Sequence, residues 1–81
     1  MISNQILQNT IDGVKGITKI DLSVVDIEGN ILAETTNGNH EYARLVRPFV
    51  DSPADSQVLQ GYQFFKVFDE SQLEYVVIAK G

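Results

Sequence analysis

The sequence predicts an α+β domain: an antiparallel sheet of four to five strands, with an N-terminal helix and a helical connection between two hairpins. Three observations predict it. Residues 61–81 hold two runs rich in Phe, Tyr, Val and Ile, split by a polar cluster at Asp69 to Gln72, which is a hairpin signal. Residues 19–34 hold a second hairpin around Asp26-Ile27-Glu28-Gly29-Asn30. Residues 3–14 place apolar side chains at helical spacing.

The helix over 3–14 rests on Ile2, Ile6, Leu7, Ile11 and Val14, with Asn4, Gln5, Gln8, Asn9 and Asp12 on its polar side. Ser3 is its N-cap, and Gly13 and Gly16 are read as its end. Its one apolar stripe is enough to cover one face of a small sheet. In the first strand, 19–26, Ile20, Leu22 and Val24 alternate with Asp21 and Ser23, the pattern of a half-buried strand. Asp26 opens the turn through side-chain to backbone hydrogen bonds, and Gly29 supplies a positive φ. The chain returns over 31–34.

A polar loop, 35–39, leads to a second helix over 40–50 with Tyr42, Leu45, Val46, Phe49 and Val50 on its apolar side. Pro48 lies inside it and predicts a kink or two short pieces. Residues 51–56 read as a turn or a single helical turn, with Ser52 as cap and Pro53 at the first helical position. A short edge strand over 57–60 precedes Gly61 and the long hairpin.

Simple pairing of that hairpin sets Asp69 opposite Gln72, Phe68 opposite Leu73, Lys66 opposite Tyr75, Phe64 opposite Val77 and Tyr62 opposite Ala79, all on one face. Gln63, Phe65, Val67, Glu74, Val76, Ile78 and Lys80 take the other. Both faces are substantially apolar, so both need covering. One can take a helix from this chain; the other needs a second helix or a second molecule.

The 81 residues make one small domain, with an adequate 43% hydrophobic content. Cysteine is absent, which removes disulfides and thiolate chemistry. The start, Met1-Ile2-Ser3-Asn4-Gln5, has neither a basic region nor an apolar run, so no signal peptide or membrane span is expected and the cytoplasm is the default. The net charge of −5 argues against direct nucleic-acid contact.

The helix, the Val24-Val25-Asp26-Ile27-Glu28-Gly29-Asn30-Ile31-Leu32 hairpin and the closing Tyr75-Val76-Val77-Ile78-Ala79-Lys80-Gly81 strand resemble the PAS/GAF-like fold. More narrowly, the chain resembles the N-terminal sensory domain, the sugar diacid recognition domain, of carbohydrate-diacid-regulator-type transcription factors. That resemblance implies the strand order 2-1-5-4-3 and a domain, 1–81, that is the N-terminal part of a longer cytoplasmic regulator. It also implies a homodimer that senses a small carboxylate and signals to a distant DNA-binding region. No residue pattern matches a defined sugar-diacid pocket.

The candidate ligand-binding residues are Arg44, Arg47, Lys66, Tyr62, Tyr75 and Ser52. Arg44 and Arg47 lie three apart on the second helix, where two guanidinium groups can hold a carboxylate; a solvated helix surface is the more common outcome for such arginines. Lys66, mid-strand among Tyr62, Phe64, Phe68 and Tyr75, can bind an anion, stack on Tyr75, or lay its stem on the sheet and raise its amine to water. Tyr62 and Tyr75 combine apolar bodies with polar tips and line a pocket or simply pack. The residues around Ser52 and Pro53 can offer helix-start N–H groups to a carboxylate or merely cap. His40 is the only histidine, and with no cysteine beside it a zinc site or catalytic triad is not expected. Asp51 and Asp55 lack the calcium-loop pattern. No cofactor or metal is expected, and no phosphate loop, nucleophile elbow or acid pair argues for an enzyme.

Two functions follow. In the first, the domain binds a small organic acid between the sheet and the 42–55 connection. In the second it is a ligand-free dimerisation or interaction module, working through the N-terminal helix and the second sheet face, with the pocket region filled by Tyr42, Leu45, Phe49, Phe64 and Phe65.

Overall fold

The computed structural model describes residues 3–35 and 42–80. Its elements are α1 (Asn4–Thr18), β1 (Asp21–Val25), β2 (Ile31–Glu34), α2 (Ala43–Asp51), β3 (Ser56–Leu59), β4 (Tyr62–Asp69) and β5 (Gln72–Lys80). The strands form one antiparallel sheet in the order β2-β1-β5-β4-β3, as the resemblance implied.

Ser3 caps α1, its side chain accepting from Ile6 N at 3.2 Å. The helix does not stop at Gly13 and Gly16 but runs on to Thr18. Each interior glycine costs about 1 kcal/mol relative to alanine. Tertiary anchoring offsets this: the Lys15 ammonium meets the Asp21 carboxylate at 2.5 Å, and Lys19, at φ 63°, closes the helix by donating to Lys15 O. The β1–β2 turn is built by Asp26, whose Oδ1 accepts from Glu28 N and Asn30 N, each at 2.9 Å. Gly29 has φ 94°, so a side chain there would be strained.

The second helix is one piece rather than two. Its expected start at His40 lies outside the described residues. Pro48 removes the N–H that would meet Arg44 O, but both residues are exposed, where water can satisfy that carbonyl. No helical turn follows. Ser52 instead ends α2, its hydroxyl donating to Phe49 O at 2.7 Å.

The long hairpin closes through Glu70 and Ser71 with φ 51° and 71°, the left-handed pair of a type I′ turn. Asp69 faces Gln72 and Phe68 faces Leu73, as expected. The register then shifts: Val67 opposes Tyr75, Lys66 opposes Val76 and Phe64 opposes Ile78. Glu74 is the extra residue of a bulge, and beyond it every β5 side chain changes partner and face. The expected Lys66–Tyr75, Phe64–Val77 and Tyr62–Ala79 pairs are therefore corrected.

The two faces are covered unequally. Under α2, Val25, Tyr42, Val46, Phe49, Phe64, Val76 and Ile78 form the larger core. Under α1, Ile11, Val24 and Ala33 are buried, with Leu7, Leu22, Tyr75 and Val77 packed beside them. α1 lies on β1 and β2. Among the described residues no helix is long and apolar enough to cross a membrane.

Candidate functional site

The space between α2 and the sheet is filled by side chains. Phe49 and Phe64 pack with ring centroids 5.5 Å apart and both are fully buried. Tyr42 and Tyr62 pack at 5.6 Å, and the buried Tyr42 hydroxyl donates to Ser23 Oγ at 3.0 Å. Burial raises the Tyr42 phenol above its usual range, outweighing the opposing effect of the Ser23 bond. Tyr42, Leu45, Phe49 and Phe64 thus occupy the expected pocket, whereas Phe65 lies on the opposite face, beside Val77.

The candidate ligand residues separate into distinct places. Lys66 and Ser52 come together, but as structure: Lys66 Nζ donates to Ser52 O at 2.5 Å and lies 5.2 Å from the Phe49 ring centroid. A cation at the C-terminus of α2 opposes the negative end of its dipole and satisfies a terminal carbonyl. Tyr75, displaced by the bulge, packs with the α1-side core, on the opposite face of the sheet from Lys66. Arg44 and Arg47 project about 60° apart on the helix wheel and diverge. Arg44 Nη2 donates to Gln60 Oε1 at 3.0 Å, whereas Arg47 reaches Ile27 O at 3.4 Å and Asp51 at 4.0 Å.

Tyr62 is the candidate whose surroundings retain some cationic character. Lys80 Nζ stands 5.5 Å from its ring centroid, and Arg44 is held nearby on Gln60, two residues from Tyr62. Lys80 and Gln60 were missed in the sequence because the bulge alone aligns Lys80 with Tyr62.

A second surface has a different character. On the α1 side, the part of the sheet beyond β1 carries Val58, Phe65, Val67, Tyr75 and Val77. Val58 is 65% exposed and Phe65 40%. A shallow depression of 370 Å³ runs along β3, lined by Ser56, Gln57, Val58, Gln63, Phe64 and Phe65. Gln8 marks the flank of α1 that faces β2. At about 100° per residue, Ile6, Val14 and Ile17 fall on the other flank, bordering the open strands, and all three are exposed. Ile11, by contrast, belongs to the core rather than to this surface.

No family model, curated protein or solved structure matches the chain.

Proposed function

We propose that the chain is a regulatory association domain: a PAS-like module of a cytoplasmic transcriptional regulator of the carbohydrate-diacid type, acting as a homodimer. The observation that carries this reading is the unequal covering of the sheet. α2 closes one face over a filled core, while the α1 side is open over β4 and β3, where Val58, Phe65 and Val67 are exposed and β3 is the last strand of the sheet among the described residues. Such an apolar strip, continuous with an edge, is suited to protein contact. The occupant in this reading is a second copy of the chain. DNA contact and catalysis form no part of it.

The end of the sheet around Tyr62 supports a second reading, a small-carboxylate sensor. There Arg44 and Lys80, not the expected Arg44–Arg47–Lys66 set, are the cations available to an acid. Thermal denaturation separates the two. Under the association reading the midpoint rises with protein concentration and is unmoved by mono- and dicarboxylates, sugar diacids included. Under the sensor reading one acid raises it saturably, by about 2.7 kcal/mol of stability at a hundred times its dissociation constant. That response disappears in Arg44→Ala and Lys80→Ala.

A further inference from the structure

We infer that the second copy docks helix on sheet: α1 of each copy lies over the β4–β3 strip of the other, across a twofold axis that runs along the strands. This rests on the association reading and names its geometry.

Two glycines of α1 are not required by the fold of a single copy. Gly13 and Gly16 are exposed and inside the helix, where glycine is less favourable than any residue but proline. Neither has a positive φ. A Cβ on either would meet no atom within 4 Å, so no neighbour in the chain excludes a side chain there. The buried Ile11 marks the side of α1 that faces the sheet. At about 100° per residue, Gly13 and Gly16 lie on the far side, and Ile6 and Ile17, 57% and 85% exposed, border Gly13 on the flank toward the open strands. The charges of the helix, Asp12 and Lys15, both fall on the Gln8 flank, toward β2. A surface helix normally turns charged side chains outward. Here the outward face is uncharged, and its two glycines sit between two exposed isoleucines.

The same side of the molecule holds the matching half. There β3 and β4 present Ser56, Val58, Gln63, Phe65 and Val67, again without a charge, and Val58, Phe65 and Val67 are exposed. Two strands about 4.8 Å apart make a strip about 10 Å wide, which is one helix diameter. α1 lies on β1 and β2, so the helix and a bare strip of its own width stand side by side. A twofold axis along β5, between them, exchanges the two. α1 of each copy enters the empty half of the other, and Phe65 meets the space kept open at Gly13 and Gly16. That reciprocity selects a second copy: a foreign helix would fill the strip but leave the outward face of α1 bare. It also joins two uncharged surfaces in a chain whose net charge of −5 otherwise repels its own copy. The two helix-on-strip contacts bury on the order of 1,000 Å², about the lower bound for a specific interface.

The test is sedimentation of wild type, Gly13→Lys and Val67→Lys, with thermal denaturation by circular dichroism at a dilution where each is a single copy. Wild type should dimerise, and both variants should weaken the dimer by at least about tenfold in dissociation constant. Gly13→Lys should do so while raising the single-copy midpoint by about 4 °C, because lysine is the better helix former and meets nothing in its own chain. A lowered midpoint would mean that the fold itself needs the glycine, and would overturn the assignment. A dimer that Gly13→Lys leaves intact would overturn the helix-on-sheet docking, whatever Val67→Lys does, and leave the association reading standing. A wild type that stays monomeric would overturn both.

Discussion

The side-chain amide of Gln8 is hydrogen-bonded twice to the backbone of Glu34, so that a residue of α1 takes the place of a neighbouring strand on the outer edge of β2. The same contact helps to hold α1 over β1 and β2, and on that side Phe65, Val67 and Val58 of β4 and β3 are exposed. One polar pair thus caps the end of that edge at Glu34.

Gln8→Ala removes both of its bonds to the Glu34 backbone at a partly buried edge. The expected cost is about 1–3 kcal/mol. For a domain of this size each kcal/mol lowers the midpoint by about 4–8 °C. Thermal denaturation by circular dichroism checks it, and Gln8→Glu, which keeps length but loses the donor, should recover little.

Lys66→Met keeps the apolar stem and deletes the ammonium at the C-terminus of α2. Loss of the bond to Ser52 O should cost about 0.5–2 kcal/mol in denaturant unfolding. If Lys66 acts only as this cap, any response to added carboxylates survives the change.

Tyr42→Phe leaves Ser23, only 5% exposed, without its donor from α2. A loss of about 1–2 kcal/mol in urea unfolding is expected, with an unchanged far-ultraviolet spectrum. Phe49→Ala empties the centre of the same core and should cost more, about 3–5 kcal/mol.

Asp26 ties the first turn together. Partial burial pushes its pKa up, but hydrogen bonds from Asn30, Glu28 and Gly29 outweigh this and hold it below the usual carboxylate range. Asp21 is lowered as well, chiefly by its bond to Lys15. A depressed carboxylate stabilises the fold above its unfolded pKa, and that contribution is lost as pH falls through the folded value. Stability should therefore decline below about pH 4–5. Asp26→Ala should be less stable at neutral pH and lose less on acidification, as read from midpoints across a pH series.

Local chemistry made several features legible in the sequence. Ser3 read as a cap because hydroxyls accept helix-start N–H groups, and Asp26 with Gly29 read as a turn for equally local reasons. The strand order came from the resemblance. The Glu74 bulge was hidden because both hairpin faces are apolar, so period-two alternation fits either register. That hidden residue moved Tyr75 away from Lys66 and brought Lys80 beside Tyr62. α1 outran Gly13 and Gly16 because its anchor, Asp21, belongs to another element. The pairing of Ser52 with Lys66 was equally beyond local reading: both residues were singled out, but a bond between a helix end and a mid-sheet strand is set by tertiary packing.

Sedimentation equilibrium of the 81-residue chain over a wide concentration range tests the central claim most directly. Self-association through the open side of the sheet predicts a mass that rises from one copy to two and stops there. A single-copy mass at every concentration, with a thermal midpoint that does not change with dilution, would contradict it.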